Sequence, residues 1–129
     1  MRAATATPAT PHALPRHDCW TDADEMRWTV RAWAARMNVN VNVVHLRAMR
    51  RKWASMSTRG RLTLDTGLLT LPKPLGEYVI VHELAHLLAP NHGRVFKSFM
   101  DAYLPDWHER ERLLQEHARP AKTDNVADR

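Results

Sequence analysis

At 129 residues, with 44% hydrophobic and 26% charged side chains, the chain is long enough for one domain with a real core and too short for two. Its composition excludes the disordered and membrane-embedded classes, and its net charge of +5 favours anionic surroundings without naming a partner. Cys19 is the only cysteine, so no intrachain disulfide can form; with no continuous apolar segment near the start, the expected location is the cytoplasm.

Pro8, Pro11 and Pro15 stand among Ala and Thr in residues 1–19, and residues 119–129 offer little apolar content. Both ends are expected to be disordered tails around a single domain spanning 20–118. Met26, Val30, Trp33 and Met37 then recur at helical spacing behind Thr21 and Asp22, either of which could cap, which predicts an amphipathic helix over 22–37. "VNVNVVHL" alternates and is rich in β-branched residues, predicting a strand near 39–46. "RKWASMS", "TRG" and "RLTLD" follow as a β-hairpin turning at Gly60. Arg47, Arg50, Arg51, Lys52, Arg59 and Arg61 lie along this stretch with no acidic residue among them. Such a run is either a solvated face or a nucleic-acid contact.

From Pro74, "LGEYVIVHELAHLLA" runs to Ala89 and is apolar nearly all round, the pattern of a buried central helix. Pro90 disfavours further helix and forces a turn. "GRVFKSFMDAYL" and "DWHERERLLQEHA" predict two more helices divided by Pro105.

Within this apolar segment, "VHELAHLLAPNHG" places His82, Glu83, His86 and His92. Buried imidazoles and carboxylates are costly unless something pairs with them. His82 and His86 are four residues apart, so a helix carries both rings on one face, where one metal ion could join them. Glu83 is rotated by about 100° from His82, off the metal but within reach of a water at an open coordination position. Once the helix breaks at Pro90 the chain can turn back and offer His92 as a third ligand. Three protein ligands with one open position is the arrangement of a catalytic zinc site, with Glu83 placed as general base.

"IVHELAHLLAPNHGRVF" resembles the metal-binding segment of the YgjP-like zinc metallopeptidases, which read HELxH, a short spacer, then Pro-Asn-His and an aromatic residue. "RRKWASMSTRGRLTLD" is similar to the same family's Arg-Trp-Gly-Ser-Cys-Ser, Gly, Leu-Asn pattern, and the resemblance covers roughly Val39 to Leu114. "HGRVFKSFM" also resembles the SprT-like proteases. The resemblance implies an α+β fold of the minimal zincin type: a small, mostly antiparallel β-sheet packed on the central HExxH helix, with flanking helices. It implies a zinc-dependent peptidase acting on a peptide or protein, the metal on His82, His86 and His92 and the water proton taken by Glu83. A substrate would add as a strand on an edge of the 52–66 hairpin. Lys52, Ala54, Met56 and Asp65 depart from the family pattern, in the hairpin rather than among the metal residues. Ala89, where metzincins have Gly, sets the chain apart from those enzymes. Glu83 sets it apart from the rRNA-maturation endonucleases, which share the histidine spacing.

Three readings therefore stand: a zinc peptidase; a nucleic-acid-associated protein, either a SprT-like protease or a metal-dependent nuclease; and a non-catalytic, zinc-stabilised binding module. Tyr78 and Tyr103 are candidates to stabilise an oxyanion, and Asp65 and Asp101 to orient a ligand imidazole. His45 and His108 read as packing residues.

Overall fold

The computed structural model describes residues 19–117; the two tails expected at 1–19 and 119–129 lie outside the described residues except for Cys19. The first helix, α1 (Ala23–Met37), begins where the sequence supplies a cap. Asp22 accepts a hydrogen bond from the Glu25 amide, and the Glu25 carboxylate accepts one from the Thr21 amide in return. It ends at Asn38 in the left-handed conformation, φ 59°, a backbone region that Asn tolerates. Met26, Val30, Trp33, Ala34 and Met37 form its buried stripe.

Three short strands follow: β1 (Val43–Arg47), β2 (Ala54–Met56) and β3 (Arg61–Asp65), in the spatial order β1-β3-β2. The hairpin of β2 and β3 is antiparallel, as its turn residues predict, and Gly60 takes φ +86° in that turn. A side chain there would be strained, and its Cβ would lie 3.0 Å from the Asn40 carbonyl oxygen. The sheet is mixed where a mostly antiparallel one was expected, because β1 pairs parallel with β3. The reason lies in the 48–53 connection, which passes the end of β3 and delivers β2 to the far edge. The hairpin then returns β3 between the two, antiparallel to β2 and so parallel to β1. Asp65 holds this crossing: its carboxylate accepts from the Met49 amide at 3.0 Å, and its own amide donates to the Trp53 carbonyl at 2.9 Å.

A 3-10 turn (Thr66–Thr70), which the sequence pattern did not announce, leads into α2 (Lys73–Ala85). Pro74 sits in the first turn of α2, where a missing N–H costs nothing. The helix packs against α1, β2, α3 (Arg94–Tyr103) and α4 (Trp107–Glu116) and is the centre of the molecule. Its ten residues from Leu75 to Ala85 other than Glu77 are all buried. Gly76 permits close packing, since a Cβ there would fall 2.8 Å from the Trp20 indole nitrogen. Glu77 ties three helices together: it accepts from the Trp33 indole on α1 and the Arg110 guanidinium on α4, each at 2.8 Å. Arg110 also reaches the Pro74 carbonyl at 3.1 Å. No helix among the described residues is long and apolar enough to cross a membrane.

Candidate metal centre

α2 was expected to reach Ala89 but ends at Ala85, with His86 as its C-cap still in helical conformation. The following turns tighten: the Leu87 and Leu88 amides bond to the Leu84 and Ala85 carbonyls, and the Ala89 amide also returns to Ala85. Pro90 can supply no amide to extend this ladder. Residues 90–93 bend back, and α3 starts at Arg94 with Phe96 buried against α2. That reversal brings His92 alongside His82 and His86.

The nitrogen atoms the three histidines offer all lie within 4.8 Å of one another, and the Nε2 atoms of His86 and His92 are 3.1 Å apart. Zinc–nitrogen bonds of about 2.0–2.1 Å at a tetrahedral angle separate two ligand nitrogens by roughly 3.3 Å, so this pair fits one ion. Phe96 fixes the cluster from below, its ring centroid 5.1, 5.1 and 4.7 Å from those of His82, His86 and His92. His86 Nδ1 lies 3.2 Å from the Pro90 carbonyl oxygen, which can only accept. The proton therefore sits on Nδ1 and the lone pair of Nε2 faces the centre, the tautomer that metal binding needs. The donor set of three imidazoles, one buried and two half-buried, suits zinc or a similar borderline divalent ion.

His82 and Glu83 are 2% and 1% exposed. Glu83 Oε2 lies 3.5 Å from His82 Nδ1, near but outside hydrogen-bond geometry. Two clefts flank the cluster. One, of about 220 Å³, is lined by Glu83 and His86 together with Met56, Ser57 and Thr58 from the end of β2 and its turn. The other, of about 300 Å³, is lined by His82, His92, Tyr78 and Phe96, with Trp107, His108 and Glu111 from α4.

The other candidates separate. Tyr78 stands at the site, its ring 5.8 Å from that of His82, and its hydroxyl donates to Glu111 at 3.3 Å. Burial, aided by the Glu111 charge, pushes its ionisation far above the ordinary tyrosine range, so it stays a neutral donor. Tyr103 instead packs edge-on against Trp33 and stacks on Phe99. Asp65 accepts from the Met49 amide at the strand crossing, and Asp101 accepts from the Trp107 indole at 2.8 Å. His45 lies on the outer sheet face 2.9 Å from Arg61, whereas His108, expected to be a packing residue, lines the larger cleft. The Pro90 carbonyl and Glu111 were not foreseen. A backbone carbonyl carries no mark in the sequence, and Glu111 looks like any other charge on an exposed helix.

Residues 21–117 match the family model described as YgjP-like, metallopeptidase domain. Among solved structures, the metallopeptidase zymogen of Pyrococcus abyssi, abylysin, is similar with a TM-score of 0.66 and 23% identity, over 76% of this chain and 99% of that one. The metallopeptidase zymogen of Methanocaldococcus jannaschii, jannalysin, is similar with a TM-score of 0.64 and 25% identity, over 72% and 97%. No curated protein sequence matches the chain.

Proposed function

The chain belongs to the YgjP-like metallopeptidase domain family, and on that premise we propose a zinc-dependent peptidase whose metal is held by His82, His86 and His92 and whose general base is Glu83. The observation that carries this reading is the reversal at Pro90, which gathers three imidazoles around Phe96 with the Glu83 carboxylate beside them and a cleft on each side. Bound there, zinc would supply Lewis-acid polarisation of the scissile carbonyl and lower the pKa of a water toward 7.

The protein's own groups do the rest. Glu83, next to the open cleft, takes a proton from the attacking water and hands it to the departing amine. The Pro90 carbonyl keeps His86 in the right tautomer. Tyr78 is one turn from His82 and remains protonated, so its hydroxyl is available to an oxyanion if it leaves Glu111. β2 is an edge strand and its end lines the Glu83 cleft, which supports a substrate peptide adding alongside it in extended form. A reducing, cytoplasmic setting belongs to the same reading and agrees with a chain whose only cysteine is Cys19.

Glu83→Gln separates the proposal from its rivals. The amide preserves shape but cannot accept the water proton, so hydrolysis of an unfolded polypeptide should fall by at least ~10² to 10⁴ while zinc content stays at one per chain. A binding module predicts no hydrolysis in either protein, and a nuclease predicts cleavage of RNA or DNA in place of polypeptide. Full peptidase activity in Glu83→Gln with zinc bound would remove Glu83 from the mechanism.

A further inference from the structure

We propose that the outer face of the three-stranded sheet is a binding surface for duplex nucleic acid, gripped through its phosphates. From Met26 to Leu64 the sequence contains nine basic residues and no Asp or Glu. Three of them, on α1, are engaged locally: Arg27 pairs with Asp24, Arg31 donates to the Val41 carbonyl, and Arg36 covers the Trp33 ring at 4.6 Å. The other six are Arg47, Arg50, Arg51, Lys52, Arg59 and Arg61, all exposed and none in an ion pair among the described residues.

The register gathers them. Val44, Leu46, Leu62 and Leu64 turn toward the core, so His45, Arg47 and Arg61 emerge on the opposite, solvent side. Arg61 pairs with Val43 and Arg47 with Asp65. The two guanidinium groups are thus rooted four residues apart along the sheet, about 13 Å, roughly four base-pair steps of a duplex. Arg50, Arg51 and Lys52 extend the positive field beyond the Arg47 end, and Arg59 beyond the Arg61 end. Asp65, the carboxylate in register with Arg47, is buried and turned to the Met49 amide. It therefore offers the surface little competing negative charge.

Charge alone would also suit an acidic polypeptide or an anionic membrane, but the rest of the face points to a duplex. The large hydrophobic side chains exposed among the described residues, Trp28 and Val95, belong to α1 and α3, so the sheet has nothing to insert into lipid. Trp53 is buried, which leaves the face without a Trp, Tyr or Phe platform for unstacked bases, the usual grip on single strands. What remains is a guanidinium-rich, aromatic-poor surface, suited to phosphate contacts that carry no sequence preference. The surface is separate from the metal ligands, so it stands or falls independently of the peptidase reading.

The test is fluorescence anisotropy with the full chain and a labelled 30-base-pair DNA duplex across a salt series. Matched single-stranded DNA, polyglutamate and phosphatidylserine vesicles are measured alongside. Duplex binding should weaken steeply with salt. Converting Arg50, Arg51 and Lys52 together to Gln should cut affinity at least tenfold at low salt and flatten the log–log slope by roughly two to three. Arg47→Gln with Arg61→Gln should act similarly, and Arg94→Gln on α3 should leave binding unchanged. Circular dichroism melting establishes that each variant is folded. Undetectable duplex binding, equal or tighter binding to single strands, polyglutamate or vesicles, or an unchanged salt slope in the folded variants would overturn the proposal.

Discussion

Helices α1 and α2 have similar lengths and lie against one another, yet only α2 buries titratable side chains along with its apolar ones. In α1 the interior stripe is wholly apolar, from Met26 to Met37, while its charges sit in the caps and on the outer face. α2 buries nearly everything it has, including Tyr78, His82 and Glu83. An amphipathic helix needs only its stripe to stay folded. A helix that also buries titratable groups needs partners for them: Tyr78 has Glu111, His86 has the Pro90 carbonyl, and the proposed metal would join the imidazoles. On the proposed function, the contrast gives stability to α1 and chemistry to α2.

Substituting one residue from each side of the contrast should break it most visibly. His92→Ala, in the turn that completes the α2 site, should cost at least about 100-fold in metal affinity, because two imidazoles hold an ion far less well than three. Its apo fold should survive. Met26→Ala should do the reverse, costing about 2–5 kcal/mol of stability through the cavity it leaves, with one metal per folded chain retained. Chelator competition and denaturant titration of both variants measure the two effects. Metal loss in folded Met26→Ala would dissolve the division of labour.

A smaller effect sharpens the boundary between the helices. Glu77→Ala leaves the Trp33 indole and Arg110 without a shared acceptor, so stability should fall by about 1–3 kcal/mol. Metal affinity should change little, since Glu77 faces away from the histidines. Urea unfolding together with a zinc titration checks both statements.

The smallest effect belongs to the α1 cap. A hydrogen bond from Lys73 at the start of α2, reinforced by the Thr21 amide, holds the Glu25 carboxyl below its ordinary pKa. A lowered carboxylate contributes stability that is complete above its unfolded pKa and is lost as pH falls through the folded value. Glu25→Gln should therefore melt slightly below the wild type at neutral pH and match it in acid. Thermal melts of the two proteins between pH 7 and pH 2 would show the gap closing; a gap that widened in acid would reverse the assignment.

Local pattern carried much of this architecture. The Met26–Met37 stripe, the turn at Gly60 and the HExxH helix are signals that neighbouring residues produce together, and all three are present, the last ending four residues earlier than its apolar run. The parallel pairing of β1 with β3 was not legible, because it depends on which edge the 48–53 crossing reaches, a decision taken by Asp65 and Trp53 at a distance. At the site, His82 and His86 follow from helical spacing alone. The place of His92 depended on a chain reversal that Pro90 permits but does not dictate. Phe96 was visible as an aromatic after the last histidine; its contact with all three rings needed coordinates.

The most direct test of the metal centre is a crystal of the zinc-loaded chain measured at the zinc absorption edge. One anomalous peak bonded at about 2.0–2.1 Å to nitrogens of His82, His86 and His92, with Glu83 close by but not bonded, is the predicted result. A peak ligated by other side chains, or no peak in crystals that contain stoichiometric zinc in solution, would contradict it.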